Sequence, residues 1–412
     1  MKRKKLLAIS MVVVFLLNGC SSFETKTYIL DEISEEEETR SYINIDKIYS
    51  YIYNSPDYRD FESLSRRTAW FSPDEDTQII INQYDDANSR NFINKINYDT
   101  SKSQRGGSRE WQDGDIPHGV SADGNYMFFE RRTEDIRYLM LYDYLNDRET
   151  VINQVNSKDV PSSLFKVVFC WEKYGNKLVY GWKYTGEPKH VVALDEEYYY
   201  NNWRYGKERV YSIKCYDIAK KESTTILESS IWKANNKVYN YSLQINDYGQ
   251  VMLYSKQDNW LYLFPISNTL ELETINKTYT VEENYWLGNK AIYTQDASQR
   301  IVKYDLEEQS WDILSSSISD EVDYLTPSKD GNTIYFSIRQ KSTTYIGQTD
   351  KVYNIYRYNV EKQELECMYQ GAEDVIGLDL SRDGESLMVE MKDMSSINLS
   401  LSYLSKIFVL KS

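Results

Sequence analysis

The residue types that most often carry catalysis are scarce in this chain. Its 412 residues include two histidines, His118 and His190, and contain no Gly-x-Ser-x-Gly or His-Glu-x-x-His sequence. A serine hydrolase needs a nucleophilic serine with a downstream histidine, and the common zinc peptidases need two histidines on one helix face. The sequence therefore excludes both classes. His118 follows Ile116 and Pro117, where we expect a solvent-exposed or turn-bonded imidazole.

Paired carboxylates are a second possible source of chemistry, because glycoside cleavage uses one carboxyl group as proton donor and another as base or nucleophile. The chain contains 63 aspartate and glutamate residues, so the presence of candidates alone carries little information. Four aspartates recur at equivalent positions of a polar turn: Asp74, Asp123, Asp330 and Asp383. An Asp side chain can accept a hydrogen bond from the backbone two residues on, so we interpret these four as turn residues.

Two stretches interrupt the repeated pattern and are candidate loops. The first, 185–208, interleaves aromatic side chains with amides and charges, and its candidate binding residues are Tyr198, Tyr199, Tyr200, Trp203, Arg204 and Tyr205. Such side chains suit recognition of a sugar ring or a protein surface; the alternative is that they pack back onto the domain. The second, 101–118, contains Gly106 and Gly107 without the strand-to-helix context of a phosphate loop, so we expect a flexible loop.

The elements that would position these loops form a repeat. The polar turn Ser-Lys-Asp-Gly-Asn at 328–332 precedes an apolar strand at 333–336 and a second strand at 352–360. Related units recur along the chain, each with about four short strands, and no long stretch has the apolar spacing of a helix. A ring of sheets packed face to face buries both faces of each sheet. The pattern therefore predicts an all-β fold, a single β-propeller of four-stranded blades, with seven blades counted and six as the alternative.

The ends of the repeat predict how the ring closes. The last unit, from 375 onwards, is one strand short, whereas 43–53 is a spare strand near the start. Pairing the two would hold the ring shut and cover an exposed edge. The Ser-x-Asp-Gly turn, the apolar strand after it and a strand ending near Tyr-Asp-Leu resemble the WD40-like repeat of TolB-type propellers; the resemblance is clearest at 121–143, 300–306, 328–360 and 381–391. It implies a protein-binding or ligand-binding platform and supplies no catalytic residue.

The N-terminal sequence predicts that the protein is located outside the cytoplasm. A basic stretch at 2–5 and an apolar run at 6–17 lead into Leu-Asn-Gly-Cys, which ends at Cys20 and resembles the lipidation site of bacterial lipoproteins. The resemblance implies lipid attachment to Cys20, with palmitate among the acyl chains that hold the protein on a bacterial membrane. We expect a signal peptide at 1–19, the lipidated Cys20 and an acidic tether at 20–42, and the propeller domain at 43–412.

The net charge and the cysteine content limit which classes of partner, disulfide and metal site the sequence allows. The net charge is −15, and residues 1–19 carry four positive charges and no negative ones, so the mature chain carries −19. An acidic chain argues against nucleic acid as a partner and against broad electrostatic contact with anionic lipid. We expect Cys170, Cys215 and Cys367 to be small buried residues, with a Cys170–Cys215 disulfide as the alternative. No spacing predicts a metal site or a cofactor.

These features predict a membrane-anchored, extracytoplasmic propeller lipoprotein that acts as a binding or scaffolding platform for a protein or an envelope ligand. The alternative is a carbohydrate-binding or glycoside-cleaving propeller that uses paired carboxylates, and a third possibility is a structural subunit of an envelope complex. Two facing carboxylates about 5–10 Å apart would favour the enzyme. A broad apolar patch on one rim would favour a protein partner.

Overall fold

The computed structural model describes residues 28–30, 47–56, 68–85, 90–134, 136–156, 165–173, 177–185, 208–228, 241–255, 259–267, 273–277, 284–315, 321–339, 352–373, 375–393 and 402–411. Every regular element in these ranges is a β-strand. The same ranges contain no helix with the length and apolar character that crossing a membrane requires.

The strands form seven antiparallel sheets, which we number as blades in chain order. Blade 1 is β3 (Ala69–Phe71), β4 (Gln78–Asp85), β5 (Arg90–Asn97) and β6 (Lys102–Glu110); blade 2 is β7 (Asp115–Val120), β8 (Tyr126–Arg132), β9 (Ile136–Asp143) and β10 (Arg148–Asn156). Blade 3 is β11 (Phe165–Trp171), β12 (Lys177–Thr185), β13 (Glu208–Asp217) and β14 (Glu222–Glu228); blade 4 is β15 (Tyr241–Ile245), β16 (Gln250–Ser255), β17 (Trp260–Pro265) and β18 (Glu273–Asn276). Blade 5 is β19 (Trp286–Leu287), β20 (Ala291–Gln295), β21 (Ile301–Asp305) and β22 (Ser310–Ile313); blade 6 is β23 (Val322–Pro327), β24 (Thr333–Arg339), β25 (Val352–Asn359) and β26 (Glu364–Glu373). Blade 7 is β27 (Val375–Leu380), β28 (Ser386–Asp393), β29 (Ser402–Lys411) and β2 (Lys47–Pro56), with β1 (Tyr28–Leu30) as an additional outer strand.

The blades are arranged in a ring, which confirms the predicted propeller and its seven-blade count. The first strands of successive blades contact one another: β11 contacts β15, β23 contacts β27, and β27 contacts β3. These strands therefore line the inside of the ring. Successive blades also have the same orientation, with their equivalent turns on the same side of the ring. The first turns of blades 4 and 5 are joined by a hydrogen bond of 2.9 Å from Asn289 Nδ2 to Asp247 Oδ2.

The predicted closure by an N-terminal strand is confirmed. β2 pairs with β29 over its whole length, from Lys47 opposite Lys411 to Pro56 opposite Ser402. Strand β1 then pairs with the outer edge of β2, so the last sheet has the order β1-β2-β29-β28-β27. β1 lies within the segment 20–42, for which the sequence predicts a tether.

The second strand of each blade forms the core, because neighbouring blades cover both of its faces. In β8, Phe128 packs toward blade 3, with its ring centroid 5.4 Å from that of Phe169. The next residue, Phe129, faces blade 1, and its ring centroid lies 6.0 Å from that of Trp111. Full burial of one such side chain stabilises the fold by about 1.5–3 kcal/mol, which is why these strands are apolar without alternation.

Three of the four recurring aspartates, Asp123, Asp330 and Asp383, accept hydrogen bonds within their turns, as predicted; at Asp74 it is the backbone N–H that bonds, to Oγ of Ser72. In the turn between β7 and β8, Asp123 Oδ1 accepts hydrogen bonds from Ser121 Oγ at 2.5 Å and from the Asn125 N–H at 3.0 Å. Gly124 supplies the positive φ of 75° that this turn needs. The turns around Asp330 and Asp383 make the same pair of bonds.

A second turn type joins the third and fourth strands and explains why third strands end near Tyr-Asp. Asp143 Oδ1 accepts hydrogen bonds from the N–H groups of Leu145 and Asn146, and Asp147 then adopts a φ of +50°. An Asp or Asn begins the turn in five blades: Asn97, Asp143, Asp217, Asp305 and Asn359. These regular turns leave one side of the ring compact.

Candidate functional site

The two rims of the propeller carry different kinds of connection. Because the strands of a blade alternate in direction, connections between strands one and two and between strands three and four lie at one rim, and all others lie at the opposite rim. Connections on the first rim, the turn rim, are short, such as 121–125 and 306–309. The connections 186–207, 340–351 and 394–401 begin and end at strand termini on the second rim, the loop rim. Long connections on a rigid scaffold often carry function, so the loop rim is the candidate functional face.

The sequence-predicted binding residues belong to one of these long connections. Tyr198, Tyr199, Tyr200, Trp203, Arg204 and Tyr205 lie outside the described residues, as does Cys20. Their connection leaves β12 after Thr185 and enters β13 at Glu208, and both of these strand ends lie at the loop rim. A binding role for the six residues, and lipid attachment to Cys20, therefore stay predictions.

An ionic cluster lies between blades 1 and 2. Arg109 at the end of β6 donates hydrogen bonds to Asp115 at 2.5 Å and to Glu149 at 2.9 Å. Arg131 near the end of β8 donates to the same carboxylates, with Nε 2.7 Å from Asp115 and Nη1 2.7 Å from Glu149. Two guanidinium groups thus share two carboxylates, and the Asp115 side chain is fully buried. We call these four residues the blade 1–2 cluster.

Aromatic rings surround Arg109 in this cluster. Its guanidinium carbon lies 3.9 Å from the ring centroid of Phe129, 4.5 Å from that of Trp111 and 5.4 Å from that of Tyr142. Attraction between a cation and an aromatic face strengthens when the cation is removed from water, and the Arg109 side chain is only 3% exposed. The rings and the two carboxylates together offset the cost of burying the guanidinium group.

The interpretation of 101–118 as a flexible loop is wrong. Residues 102–110 form β6, the outer strand of blade 1, and most of its side chains are exposed, which explains the polar sequence. Its glycines allow close packing, because a Cβ atom added at Gly107 would lie 2.4 Å from Cβ of Tyr144 in blade 2. The signal that could have revealed this strand is the preceding turn, in which Asn97 Oδ1 accepts from the Thr100 N–H and Ser101 has a φ of +58°.

A second ionic cluster lies on the other face of β8, toward blade 3. Glu130 Oε1 accepts a hydrogen bond of 2.7 Å from Arg132 Nε and lies 3.1 Å from Arg137 Nη1. Its Oε2 lies 3.7 Å from Nε2 of His118. Adjacent residues of a strand point to opposite faces, so Glu130 and Arg131 belong to different clusters. We call His118, Glu130, Arg132 and Arg137 the blade 2–3 cluster, and three of its members lie at the loop-rim ends of β8 and β9.

The expectation that His118 is exposed or bonded in a turn is wrong. His118 lies on β7 and is 3% exposed, with its ring centroid 5.1 Å from that of Phe128 and 6.0 Å from that of Phe169. The pairing of β7 with β8 shifts register between Pro117 and Gly119, and this bulge directs the imidazole into the interface between blades. The sequence around His118 suggests a loop because Pro117 and Gly119 flank the histidine.

The three carboxylates in the clusters are held in their ionised forms. Burial acts to raise the pKa of Glu130, but the adjacent His118 and the charges of Arg132 and Arg137 outweigh it and hold that pKa at about 2. Burial likewise acts to raise the pKa values of Asp115 and Glu149, and the guanidinium groups of Arg131 and Arg109 bring both below their ordinary values. A proton donor for glycoside cleavage needs a raised pKa. These side chains are therefore suited to stabilising blade 2 rather than to acid catalysis.

Cys215 is buried, as predicted, whereas Cys170 and Cys367 are half-buried, and the alternative disulfide is excluded. Cys170 and Cys215 lie opposite Val179 on the two strands that flank it. They are therefore two strand spacings apart, about 9–10 Å, which exceeds the separation of roughly 7 Å that a disulfide can bridge. Cys170, Cys215 and Cys367 are all free thiols.

Comparison with known proteins identifies a shared fold but no family. No protein-family model matches the sequence, and no curated protein matches it. Among solved structures, an oligogalacturonate lyase in complex with manganese is 13% identical, covers 94% of this chain and 96% of its own, and has a TM-score of 0.54. An oligogalacturonate lyase from Vibrio parahaemolyticus is 12% identical, covers 94% and 97%, and has a TM-score of 0.53. At this identity the likeness concerns the fold alone.

Within the described part of the chain, no three side chains of His, Cys, Asp or Glu come together in a way that could hold a metal ion.

Proposed function

We propose that this chain is a lipid-anchored, extracytoplasmic β-propeller that uses its loop rim as a binding or scaffolding platform for a protein or an envelope ligand. The observation that carries this proposal is the difference between the rims. The connections 186–207, 340–351 and 394–401 all begin and end at one rim of a closed ring, whereas the opposite rim has short turns. A rigid ring with long loops on one face is suited to recognition.

Two sequence features support the rest of the proposal. The Ser-x-Asp-Gly repeats resemble those of TolB-type propellers, for which a binding platform is the implied role. The basic and apolar segments before Cys20 resemble a lipoprotein signal, which would place the propeller outside the cytoplasm on a bacterial membrane. Mass spectrometry of the mature protein tests the second point, and we expect a diacylglyceryl group and acyl chains such as palmitate on Cys20.

The binding test compares variants at the two rims. The protein is crosslinked in intact cells while natively anchored, purified, and analysed for co-purifying protein. In the loop-rim variant, Tyr199, Trp203 and Tyr205 are replaced by Ala. In the matched turn-rim variant, Leu145 and Tyr248 are replaced by Ala; these residues are 71% and 65% exposed.

We expect a stoichiometric partner with the wild type and the turn-rim variant, and at least a tenfold loss with the loop-rim variant. Such a loss corresponds to about 1.4 kcal/mol, within the range for removing aromatic anchors from an interface. A partner that the loop-rim variant retains, or that only the turn-rim variant loses, would refute the assignment of the binding face.

Carbohydrate recognition is the second candidate function. It is supported by the names of the two structural relatives, which are oligogalacturonate lyases, and by the aromatic and amide residues of 198–205, which suit a sugar ring. Binding to immobilised oligogalacturonate and to a neutral oligosaccharide of equal length would test it. Binding that the loop-rim variant loses would favour this function over a protein platform, and product formation would establish the glycoside-cleaving alternative.

A further inference from the structure

Strand β1 fixes the point at which the N-terminal segment leaves the propeller. Tyr28 lies opposite Ile52 and Leu30 lies opposite Ser50, near the middle of β2. β2 is itself the outermost of the four strands that complete blade 7. The chain before Tyr28 therefore emerges from the outer edge of blade 7, between the two rims and not at either of them.

The length of chain before β1 limits how far the ring can lie from Cys20. Seven residues separate Cys20 from Tyr28. Even when fully extended, the eight Cα–Cα steps from Cys20 to Tyr28 reach about 28 Å, at roughly 3.5 Å per step. A compact domain of this size is about 50 Å across, so the segment is shorter than the ring is wide. A chain that was unpaired up to Lys47 would instead reach about 95 Å, enough for any orientation.

We infer that the propeller is held edge-on, with the outer edge of blade 7 toward the lipid surface and both rims open to the aqueous phase. This inference rests on the proposed anchoring through Cys20. The net charge of the mature chain, −15 − 4 = −19, gives the rest of the protein no general attraction to anionic lipid, so the attachment point of the short segment before β1 favours the outer edge of blade 7 as the part nearest the lipid. The loop rim then faces sideways, where a soluble or envelope partner can reach it.

Two labelled positions on the same rim test the orientation. Arg382 lies in the first turn of blade 7 and Lys221 in the last turn of blade 3, on the opposite side of the ring; both are exposed on the turn rim. Full-length lipidated protein carrying Arg382→Cys or Lys221→Cys is labelled with a fluorescent donor. Each is inserted into vesicles of neutral phospholipid that contain a headgroup acceptor, and unsubstituted protein gives the background from the native thiols.

The edge-on arrangement predicts energy transfer from position 382 at least threefold more efficient than from position 221. A propeller lying on one rim, or tumbling on a long tether, would give equal transfer from both positions and would overturn the inference while leaving the anchor intact. Protein that does not associate with the vesicles at all would instead refute anchoring through Cys20. The two failures are therefore distinguishable.

A variant in which β1 no longer pairs with β2 tests whether β1 causes the edge-on orientation. Replacing Tyr28 and Ile29 by Pro removes two consecutive N–H groups, and since these alternate in direction along a strand, one of them faces β2. We expect this variant to stay on the vesicles but to lose the difference between the two labels. Replacing Glu36 and Glu37 by Pro, in the connection after β1, is the matched control and should preserve it. A difference that survives release of β1 would show that β1 does not set the orientation.

Discussion

The carboxylate of Glu390 in blade 7 holds Thr68 at the start of blade 1. Its Oε1 accepts hydrogen bonds from the Thr68 backbone N–H at 3.0 Å and from the Thr68 hydroxyl at 2.5 Å, across 322 positions of sequence. Nearby, Asp379 accepts a bond of 2.8 Å from the Phe71 N–H. Buried carboxylate acceptors of blade 7 thus join the last blade to the first, in addition to the pairing of β2 with β29 that completes blade 7.

The first prediction concerns that junction. In Glu390→Gln, the amide group can accept with one oxygen only and places an N–H₂ group among donors. We expect a loss of about 1.5–3 kcal/mol in the free energy of unfolding, the range for hydrogen bonds to charged groups. Urea unfolding followed by tryptophan fluorescence measures it. Glu361→Gln, at an exposed turn position, is the control and should change stability by less than about 0.5 kcal/mol. Equal midpoints for both variants would contradict a role for Glu390 in closing the ring.

The second prediction separates the two N-terminal strands. A chain that begins at Lys47 lacks β1, and a chain that begins at Asp57 lacks β1 and β2. We expect the first to keep the melting temperature of a chain that begins at Ser21 to within a few degrees, because three residues at an outer edge bury little surface. The second leaves β29 as an unpaired edge, so we expect a much lower melting temperature and aggregation. Scanning calorimetry distinguishes them, and an unchanged melting temperature without β2 would refute closure by this strand.

The third prediction is a pH dependence that arises from Glu130. Its pKa lies near 2 in the folded protein, against 4.5 as its ordinary value, so the ionised form is favoured by folding. This contribution, about 3 kcal/mol, is fully present above pH 4.5 and disappears as the pH falls toward 2. In Glu130→Gln the contribution is absent, and Arg137 loses its buried partner, so the variant should be less stable at pH 7 by about 3–5 kcal/mol.

Urea midpoints at pH 7, 5 and 3 measure the effect of Glu130. The gap between wild type and Glu130→Gln should be constant from pH 7 to pH 5 and should narrow at pH 3. Glu307→Gln, at an exposed turn position, controls for the loss of one negative charge. A gap that stayed constant down to pH 3 would show that the carboxylate of Glu130 is not selectively ionised in the folded state.

The fourth prediction concerns the thiols. Burial raises the pKa of Cys215 to about 11 and raises the pKa values of Cys170 and Cys367 above their ordinary value. Because the thiolate is the reactive form, a chain that begins at Ser21 should react slowly with a thiol reagent at pH 8. In urea, all three thiols of the unfolded chain should react with the reagent within seconds. Only one reactive thiol after unfolding would indicate a disulfide, and rapid reaction of the native protein would contradict the burial of these residues.

Sequence reasoning succeeded where the structural cause is local. A Ser-x-Asp-Gly turn carries its own hydrogen bonds, as between Ser121 and Asp123, so its residue types alone predict it. The apolar strands after these turns need cover on both faces, and that requirement led to the ring and to its closure by β2. Such features depend on residues a few positions apart or on the balance of strands in each unit.

Sequence reasoning failed where the cause is a contact between blades. Arg109 lies in a polar stretch with two glycines, and only the approach of Asp115, Glu149 and three aromatic rings explains its burial. His118 follows a proline, and a β-bulge that cannot be predicted from the sequence directs its imidazole toward Phe169. In both cases the partners are supplied by another strand or blade.

By itself, the sequence determined the all-β class, the repeated turns and the need for a closing strand, because short-range hydrogen bonding and the burial of apolar strands follow from residue type and spacing. It left the choice between seven blades and six to the structure. Only the tertiary structure decided which charged residues pair within blade 2 and between blades 1 and 2, how Glu390 reaches Thr68, and where β1 leaves the ring. Those relationships arise when blades pack against one another, and the partners of a buried charge are then selected by position in space and not by distance along the chain.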